Sequence, residues 1–270
     1  MRVLVTNDDG IESPGLAALA QEAAERGHDV LVVAPCWDSS GASASVTGVV
    51  HEDRVRTEPR QWTGWPEGSV LAVDATPALI CRTALEAGFG PPPELVLSGI
   101  NRGPNTGRAI LHSGTVGAAF TAYHGGCSGL AVSLAVREPL PGPFSELHWA
   151  TAAGVAGLLV DWLVAARRPV VLNCNVPNVP PPELRGLVAA RLALVGTSAT
   201  SVTEDAGGAI PVALGAGIPE PLGADGADIT DVTDAVLVAR GYASVTAVVP
   251  VAEDPTVDLA GVVDRPLPAP

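Results

Sequence analysis

The chain has 270 residues, 47 % of them hydrophobic and 16 % charged, which suits a buried core in one large unit or two small ones and excludes a disordered chain. A net charge of −14, from 29 acidic and 15 basic residues, argues against a nucleic-acid polymer as partner, because phosphate backbones demand a basic face. No apolar run approaches the roughly 18 residues of a membrane-spanning helix, and MRVLVTNDDG meets two acids too soon for a signal peptide. The expected location is the cytoplasm, with no membrane partner.

All the basic residues are arginine, so a lysine Schiff base or lysine phosphate clamp is excluded. Cys36, Cys81, Cys127 and Cys174 are widely spaced without a CxxC pair. That spacing suits reduced thiols better than a zinc site or a disulfide framework.

Strands and helices alternate along the first two thirds of the chain. Val3–Val5 reads as a short apolar strand followed by the loop TNDDGIES. Ser13-Pro14 then reads as a cap with proline at the first helical position, and Leu16, Leu19 and Ala23 give that helix an apolar face up to Gly27. Val30–Val33 is the next strand, entering the small-residue loop APCWDSSGASAS, and residues 51–68 form a polar excursion with two tryptophans. Thr76-Pro77 opens a helix to about Gly88, Leu95–Ser98 is a buried strand, and a long glycine-rich loop leads to a helix over Thr115–Tyr123. Leu130–Val136, a helix over Glu146–Ala166 and the strand Val170–Cys174 complete the alternation. Strands separated by helices predict an α/β fold: a Rossmann-like, three-layer core on a mostly parallel sheet.

After Pro177 prolines cluster, short β-like runs follow, and Tyr242–Val249 alternates like a strand in need of a partner. Residues 1–184 are read as the catalytic core. Residues 185–270 are read as a β-rich C-terminal arm that packs on the core or on a second subunit.

The chemistry concentrates at strand ends, where open α/β sheets bind ligands. Asp8 and Asp9 stand together after the first strand; adjacent carboxylates repel unless a cation neutralises them. The loop after the second strand offers the Ser40 hydroxyl and the Leu95–Ser98 strand runs into Asn101. Four such oxygens suit one hard cation; alternatively Ser40 and Asn101 only close turns. His112-Ser113-Gly114-Thr115 opens a helix, which is either an anion site made by N–H groups and the helix dipole or an ordinary serine cap.

Several runs together resemble the SurE family of metal-dependent nucleotidases: VLVTNDDGIESPG at 3–15, VVAP at 32–35, SGAS at 40–43 and ATP at 75–77. They continue as LSGINRGPNTG at 97–107, HSGTVGAA at 112–119, LNCNVP at 172–177, TD at 233–234 and GYASVT at 241–246. The resemblance implies hydrolysis of nucleoside 5′- and 3′-monophosphates with one divalent cation per subunit, Mg²⁺ or Mn²⁺, with Ca²⁺ able to take the site in crystals. It assigns the cation to Asp8, Asp9, Ser40 and Asn101, and the phosphate to the neighbourhood of Asn105, Ser113, Gly114 and Thr115. It further implies a homodimer or homotetramer through the C-terminal segment. Asp8 is the candidate nucleophile or general base, with a cation-held water as the alternative attacker, and Asp9 its catalytic companion. His112 is a candidate substrate contact, as proton donor or as packing residue.

The chain departs from the family pattern at Cys36-Trp37, at Leu79 where an acid is usual, at Arg108-Ala109, and at His112 where tyrosine is common. These positions leave base and sugar recognition open, so a phosphorylated specialised metabolite is the alternative substrate. A glycosyltransferase-like nucleotide-sugar binder shares the opening MRVLV, but this length does not hold two Rossmann domains and NDDG has no place in it. A binding protein without catalysis is disfavoured by the complete set of cation-ligand candidates.

Overall fold

A computed structural model of the chain describes residues 1–51, 54–136, 147–194, 198–202, 212–216, 232–252 and 256. The first strand, β1 (Arg2–Thr6), sits in the middle of the protein and is buried on both sides, as its unbroken apolar run requires. Val3 and Val5 join one core cluster, with Leu16 and Leu19 of α1 (Pro14–Glu25), while Leu4 joins the cluster on the opposite face. Two-residue alternation thus serves two helical layers at once.

Next come β2 (Asp29–Pro35), the short β3 (Val50–His51), β4 (Arg54–Val55) and β5 (Thr57–Pro59), then β6 (Val70–Val73) and α2 (Pro77–Leu85). The second half holds β7 (Leu95–Arg102), α3 (Gly114–His124), β8 (Ser128–Ala135), α4 (Trp149–Val164) and β9 (Val171–Pro177). The last elements are β10 (Leu187–Ala189), β11 (Ser198–Val202), β12 (Val212–Ala216), α5 (Asp234–Ala239) and β13 (Ala243–Val248). Residues 137–146, where the α4 helix was expected to begin, lie outside the described residues.

Nine strands form one sheet in the order β10-β13-β9-β8-β7-β1-β2-β6-β5. From β9 to β6 every pairing is parallel, and β5 and β13 add antiparallel strands to the two flanks. Helices α1 and α4 cover one face, and α2 and α3 the other. The chain winds outward from β1 through β2 to β6, then restarts on the other flank with β7, β8 and β9. The carboxyl ends of β1 and β7 therefore meet at the topological switch point, where a doubly wound sheet opens a crevice.

The cap-plus-proline signals locate α1 and α2 correctly, but neither hydroxyl caps its helix. Thr76 Oγ1 instead donates to the Thr47 carbonyl at 3.0 Å and so holds the 45–47 loop against the start of α2. Proline at the first helical position supplies the preset φ. The excursion at 51–68 is anchored by Trp62 and Trp65, edge to face at 5.6 Å and packed against the core. Beyond residue 185, β10 and β13 extend the central sheet, and the expected lone strand finds its partner in β9. Among the described residues, no helix is long and apolar enough to cross a membrane.

Candidate functional site

The turn that follows β1 is closed by its own asparagine. Buried Asn7 donates from Nδ2 to the Gly10 carbonyl at 3.0 Å and accepts from the Gly10 N–H at 3.2 Å. Asp8 and Asp9 are carried between these two fixed points. Asp8 is 3 % exposed, and both of its oxygens are held: Oδ1 accepts from Thr115 Oγ1 at 2.6 Å and Oδ2 from the Thr115 N–H at 3.1 Å. A Cβ on Gly114 would lie 2.8 Å from Asp8 Oδ2, so only glycine lets α3 begin so close to the carboxylate. Asp8 itself thus takes part of the anion site that the helix start offers.

Asp9 is less buried and accepts from the Arg102 N–H at Oδ2, at 3.1 Å. That amide is aimed by an irregularity in β7, whose pairing with β8 shifts between Ser98 and Asn101. Gly99 makes the shift feasible, with φ of +131° and a Cβ position only 2.3 Å from the Val132 carbonyl. Just beyond it, Asn101 donates from Nδ2 to the Gly103 carbonyl at 2.7 Å, which leaves Oδ1 as the acceptor end of its amide.

The loop after β2 closes the other side. Ser39 donates its N–H to the Asp8 carbonyl at 2.7 Å. Ser40 is exposed and its hydroxyl donates to Asp38 Oδ1 at 2.6 Å, beside the Ser40 N–H on the same oxygen at 2.9 Å. Ser40 makes no hydrogen bond to Asp8 or Asp9. Asp38 is the residue that sequence reasoning passed over: its charge bears on both aspartates, and the signal was a third acid at a neighbouring strand end. Burial pushes the Asp8 carboxyl above its usual range, and burial followed by the Asp8 charge pushes Asp9 up to about 7.

The residues expected near phosphate separate into three roles. Ser113 is the N-cap of α3, its Oγ accepting from the Val116 N–H at 3.1 Å. Thr115 is committed to Asp8. His112 is exposed at the end of the 3-10 turn Gly107–His112, and its carbonyl accepts from the Ser43 N–H at 3.3 Å; its ring makes no hydrogen bond to Asp8, Asp9 or Thr115.

Asn105 sits in a cage of amides. Its N–H donates to Asn175 Oδ1 at 2.7 Å, and its carbonyl accepts from Asn173 Nδ2 at 2.8 Å and Asn175 Nδ2 at 2.9 Å. Its own Nδ2 donates to Ser133 Oγ at 2.8 Å and reaches Thr115 Oγ1 at 3.5 Å. The run LNCNVP at 172–177 carries two of these partners, neither of them among the candidate site residues read from the sequence. The signal was two asparagines at alternate positions of a buried strand, one face spoiled for packing and so reserved for hydrogen bonding.

A pocket of about 210 Å³ opens beside Asp9, lined also by Ser13, Pro14, Asp38, Arg102 and Trp149. It combines two acids, one guanidinium and an indole next to the paired carboxylates.

A model of the family described as "Survival protein SurE" matches residues 3–198. The chain belongs to the SurE family. It is 37 % identical over 195 residues to "5'-nucleotidase SurE" of Carboxydothermus hydrogenoformans, covering 71 % of this chain and 70 % of that protein. With "5'-nucleotidase SurE" of Marinomonas sp. it shares 35 % over 248 residues, 91 % of this chain and 90 % of that protein. With "5'/3'-nucleotidase SurE" of Cronobacter sakazakii it shares 39 % over 191 residues, 69 % of this chain and 68 % of that protein. A crystal structure of the SurE protein from Aquifex aeolicus superposes with a TM-score of 0.71 at 28 % identity, covering 92 % of this chain and 93 % of that one.

The donor set at the carboxyl end of β1 fits a divalent cation. Asp8 and Asp9 crowd two carboxyls into a largely buried place with Asp38 close by, and burial holds both above the usual carboxylate range. Among the described residues, no three His, Cys, Asp or Glu side chains form a metal cage by themselves. A cation here therefore needs the hydroxyl and amide oxygens of its neighbours, and an all-oxygen set favours Mg²⁺, Mn²⁺ or Ca²⁺ over softer metals.

Proposed function

We propose that this SurE protein is a divalent-cation-dependent phosphomonoesterase that hydrolyses nucleoside 5′- and 3′-monophosphates to nucleoside and phosphate. The observation that carries the reading is the pair Asp8–Asp9 at the switch point, one carboxylate locked onto the start of α3 and the other open to a pocket. The names of the nucleotidase relatives give the substrate class. No observation favours the phosphorylated specialised metabolite over a nucleotide.

Asp8, Asp9, Asn101 and Ser40 are the residues that would hold the cation, with Ser40 brought in by release from Asp38. When bound, the cation neutralises phosphoryl oxygens and activates water. Asp8 accepts two hydrogen bonds from Thr115, which fixes its orientation and suits it to holding charge in place. Asp9 Oδ1 accepts no hydrogen bond among the described residues and borders the pocket, so Asp9 is the carboxylate placed to take a proton from an attacking water. Ser113 Oγ uses a lone pair as cap acceptor and keeps its O–H for a phosphate oxygen. Arg102 and Trp149 offer the leaving nucleoside a cationic edge and an aromatic wall.

We also place the protein in the cytoplasm, to which its four free thiols are suited. We propose a homodimer or homotetramer through the C-terminal segment, where β10 leaves an unpaired sheet edge among the described residues. The test of function is phosphate release from a panel of nucleoside monophosphates and one aryl phosphate, with Mg²⁺, Mn²⁺ or EDTA. Cation-dependent release from nucleotides is expected. No release from any nucleotide would overturn the activity, and full activity in EDTA would overturn the cation.

A further inference from the structure

Ten residues, Gly103 to His112, connect the end of β7, where Asn101 is the last residue but one, to Ser113 at the start of α3. Both ends carry residues of the proposed site, so the placement of this span sets the distance between cation and phosphate groups. Its first part is held by the amide cage around Asn105. Its middle is held from another part of the chain. Asp234, the first residue of α5, is fully buried, and its Oδ2 accepts from the Gly107 N–H at 2.8 Å. Its Oδ1 accepts from the N–H groups of Ala193 at 3.0 Å and Ala235 at 2.8 Å. The segment at 191–193 touches the same span again, the Arg108 N–H donating to the Ala193 carbonyl at 3.1 Å, and it pairs with α5 through the Asp234 N–H on the Arg191 carbonyl at 2.9 Å.

We infer that Asp234 is a positioning residue of the phosphatase site, fixing the Gly103–His112 span through the Gly107 N–H. This rests on the function proposed above. Asp234 makes no hydrogen bond to the proposed cation or phosphate residues. The run TD at 233–234 belongs to the family resemblance, but the resemblance assigns Asp234 no part in the site, and it lies beyond the 3–198 range matched by the family model. A carboxylate is the side chain that can serve three amide donors directed at it from three places; its two oxygens offer about four lone-pair sites and no competing donor.

That chemistry supplies the test. Asp234→Asn has one oxygen and one NH₂. The orientation that keeps the Ala193 and Ala235 bonds saves two of the three, and it sets the NH₂ against the Gly107 N–H, donor against donor. The variant thus retains the anchor on its own segment and loses the tie to the catalytic span. Wild type, Asp234→Asn and Asp234→Ala are compared in kcat and KM on a nucleoside monophosphate, and in melting temperature with and without Mg²⁺. The expected result is a fall of tenfold or more in kcat for Asp234→Asn at temperatures where it is fully folded, with a smaller change in KM and a retained rise in melting temperature on adding Mg²⁺. If Asp234→Asn does not fold, Asp234→Ala, which introduces no misplaced donor, carries the same comparison. A folded variant with kcat and KM within twofold of wild type would overturn the inference, as would activity losses that merely track the unfolded fraction. An inactive wild type would instead overturn the proposed function, so the two failures are read separately.

Discussion

On one side of β1, strands β2 and β6 bury Val30, Leu31, Val32, Val33, Ala34, Val70, Ala72 and Val73, an interior of aliphatic side chains. On the other side, β7, β8, β9 and β13 bury Ser98, Ser133, Asn173, Asn175, Ser244 and Thr246 among their aliphatic residues. Polar groups in a sheet interior cost stability unless hydrogen-bonded. Ser133, Asn173 and Asn175 are bonded, and every one of those bonds goes to Asn105. Others on that flank have no hydrogen-bond partner among the described residues, among them Ser98 Oγ, Asn173 Oδ1, Ser244 Oγ and Thr246 Oγ1. The apolar flank holds the sheet together, and the polar flank gives up some of that stability to hold a loop. The span proposed to carry the site lies on the polar side, where the strands offer it partners.

The largest effects should fall where the two flanks meet. Asp8→Asn or Asp9→Asn should cut nucleotide hydrolysis by about a hundredfold or more, the scale for losing a preorganised electrostatic group. Both side chains lie at a strand end outside the aliphatic core, so far-ultraviolet circular dichroism should be retained. The rise in melting temperature on Mg²⁺ addition should disappear as well. Two variants that each keep more than about a tenth of wild-type activity would sink the assignment. Gly114→Ala should come next. Its Cβ would stand 2.8 Å from Asp8 Oδ2, and displacement of a reacting group by about 1 Å can cost on the order of a hundredfold in rate. Wild-type kinetics for this variant would mean that Asp8 tolerates movement.

The contrast itself is tested by one substitution on each flank. Asn175→Ala removes the acceptor of the Asn105 N–H, and leaving that donor unsatisfied costs about 1–3 kcal/mol; it also removes one of the two donors to the Asn105 carbonyl, which keeps Asn173. Its activity should fall by about tenfold even where the protein is folded. Leu31→Ala, on the apolar flank, should cost about 2–5 kcal/mol of stability and leave kcat and KM of the folded protein as they are. Denaturant melts beside kinetics decide this. If both variants lost activity only in proportion to stability, the division between the flanks would have no functional meaning.

The sequence made the apolar flank and the strand-end chemistry legible because both are local. Apolar runs of four to seven residues, proline after serine or threonine, and NDDG after a strand are readable within a few positions. What escaped depends on partners distant along the chain. The hydroxyls of Ser13 and Thr76 looked like helix caps, but whether a hydroxyl caps its helix or bonds elsewhere, as Thr76 does to the 45–47 loop, is settled by what packs beside it. Ser40 reads as a cation-ligand candidate, while its hydrogen bond to Asp38 two residues away, from which it must be released to serve as one, shows only in the structure. The bonds of Asn173 to Asn105 and of Asp234 to Gly107 join residues 68 and 127 positions apart, and no periodicity reports such a pairing. Tyr242–Val249 was visible as a strand, while its insertion beside β9 followed from the room left at that edge of the sheet.

The smallest effect expected concerns choice among nucleotides. The groups proposed for cation and phosphate come from strand ends and from the start of α3, which any phosphate ester would meet in the same way. The pocket proposed for the leaving group, beside Asp9, has about 210 Å³, below the roughly 300–1,000 Å³ of sites that enclose a drug-sized ligand. It can hold one ring system, with Pro14 and Trp149 as apolar walls and Arg102 as the polar edge. Stacking on an indole is nearly indifferent to which base is stacked. Each hydrogen bond to a base edge contributes about 0.5–1.5 kcal/mol, or roughly two- to tenfold in discrimination. Purine and pyrimidine monophosphates should therefore differ in kcat/KM by no more than about tenfold. Trp149→Ala should lower kcat/KM for all of them together, with the ranking among bases preserved. A preference above about a thousandfold for one nucleoside monophosphate, or a Trp149→Ala variant that reorders the bases, would mean that the pocket reads base edges, and Arg102 and Asp38 would then be recognition groups instead of a tolerant rim.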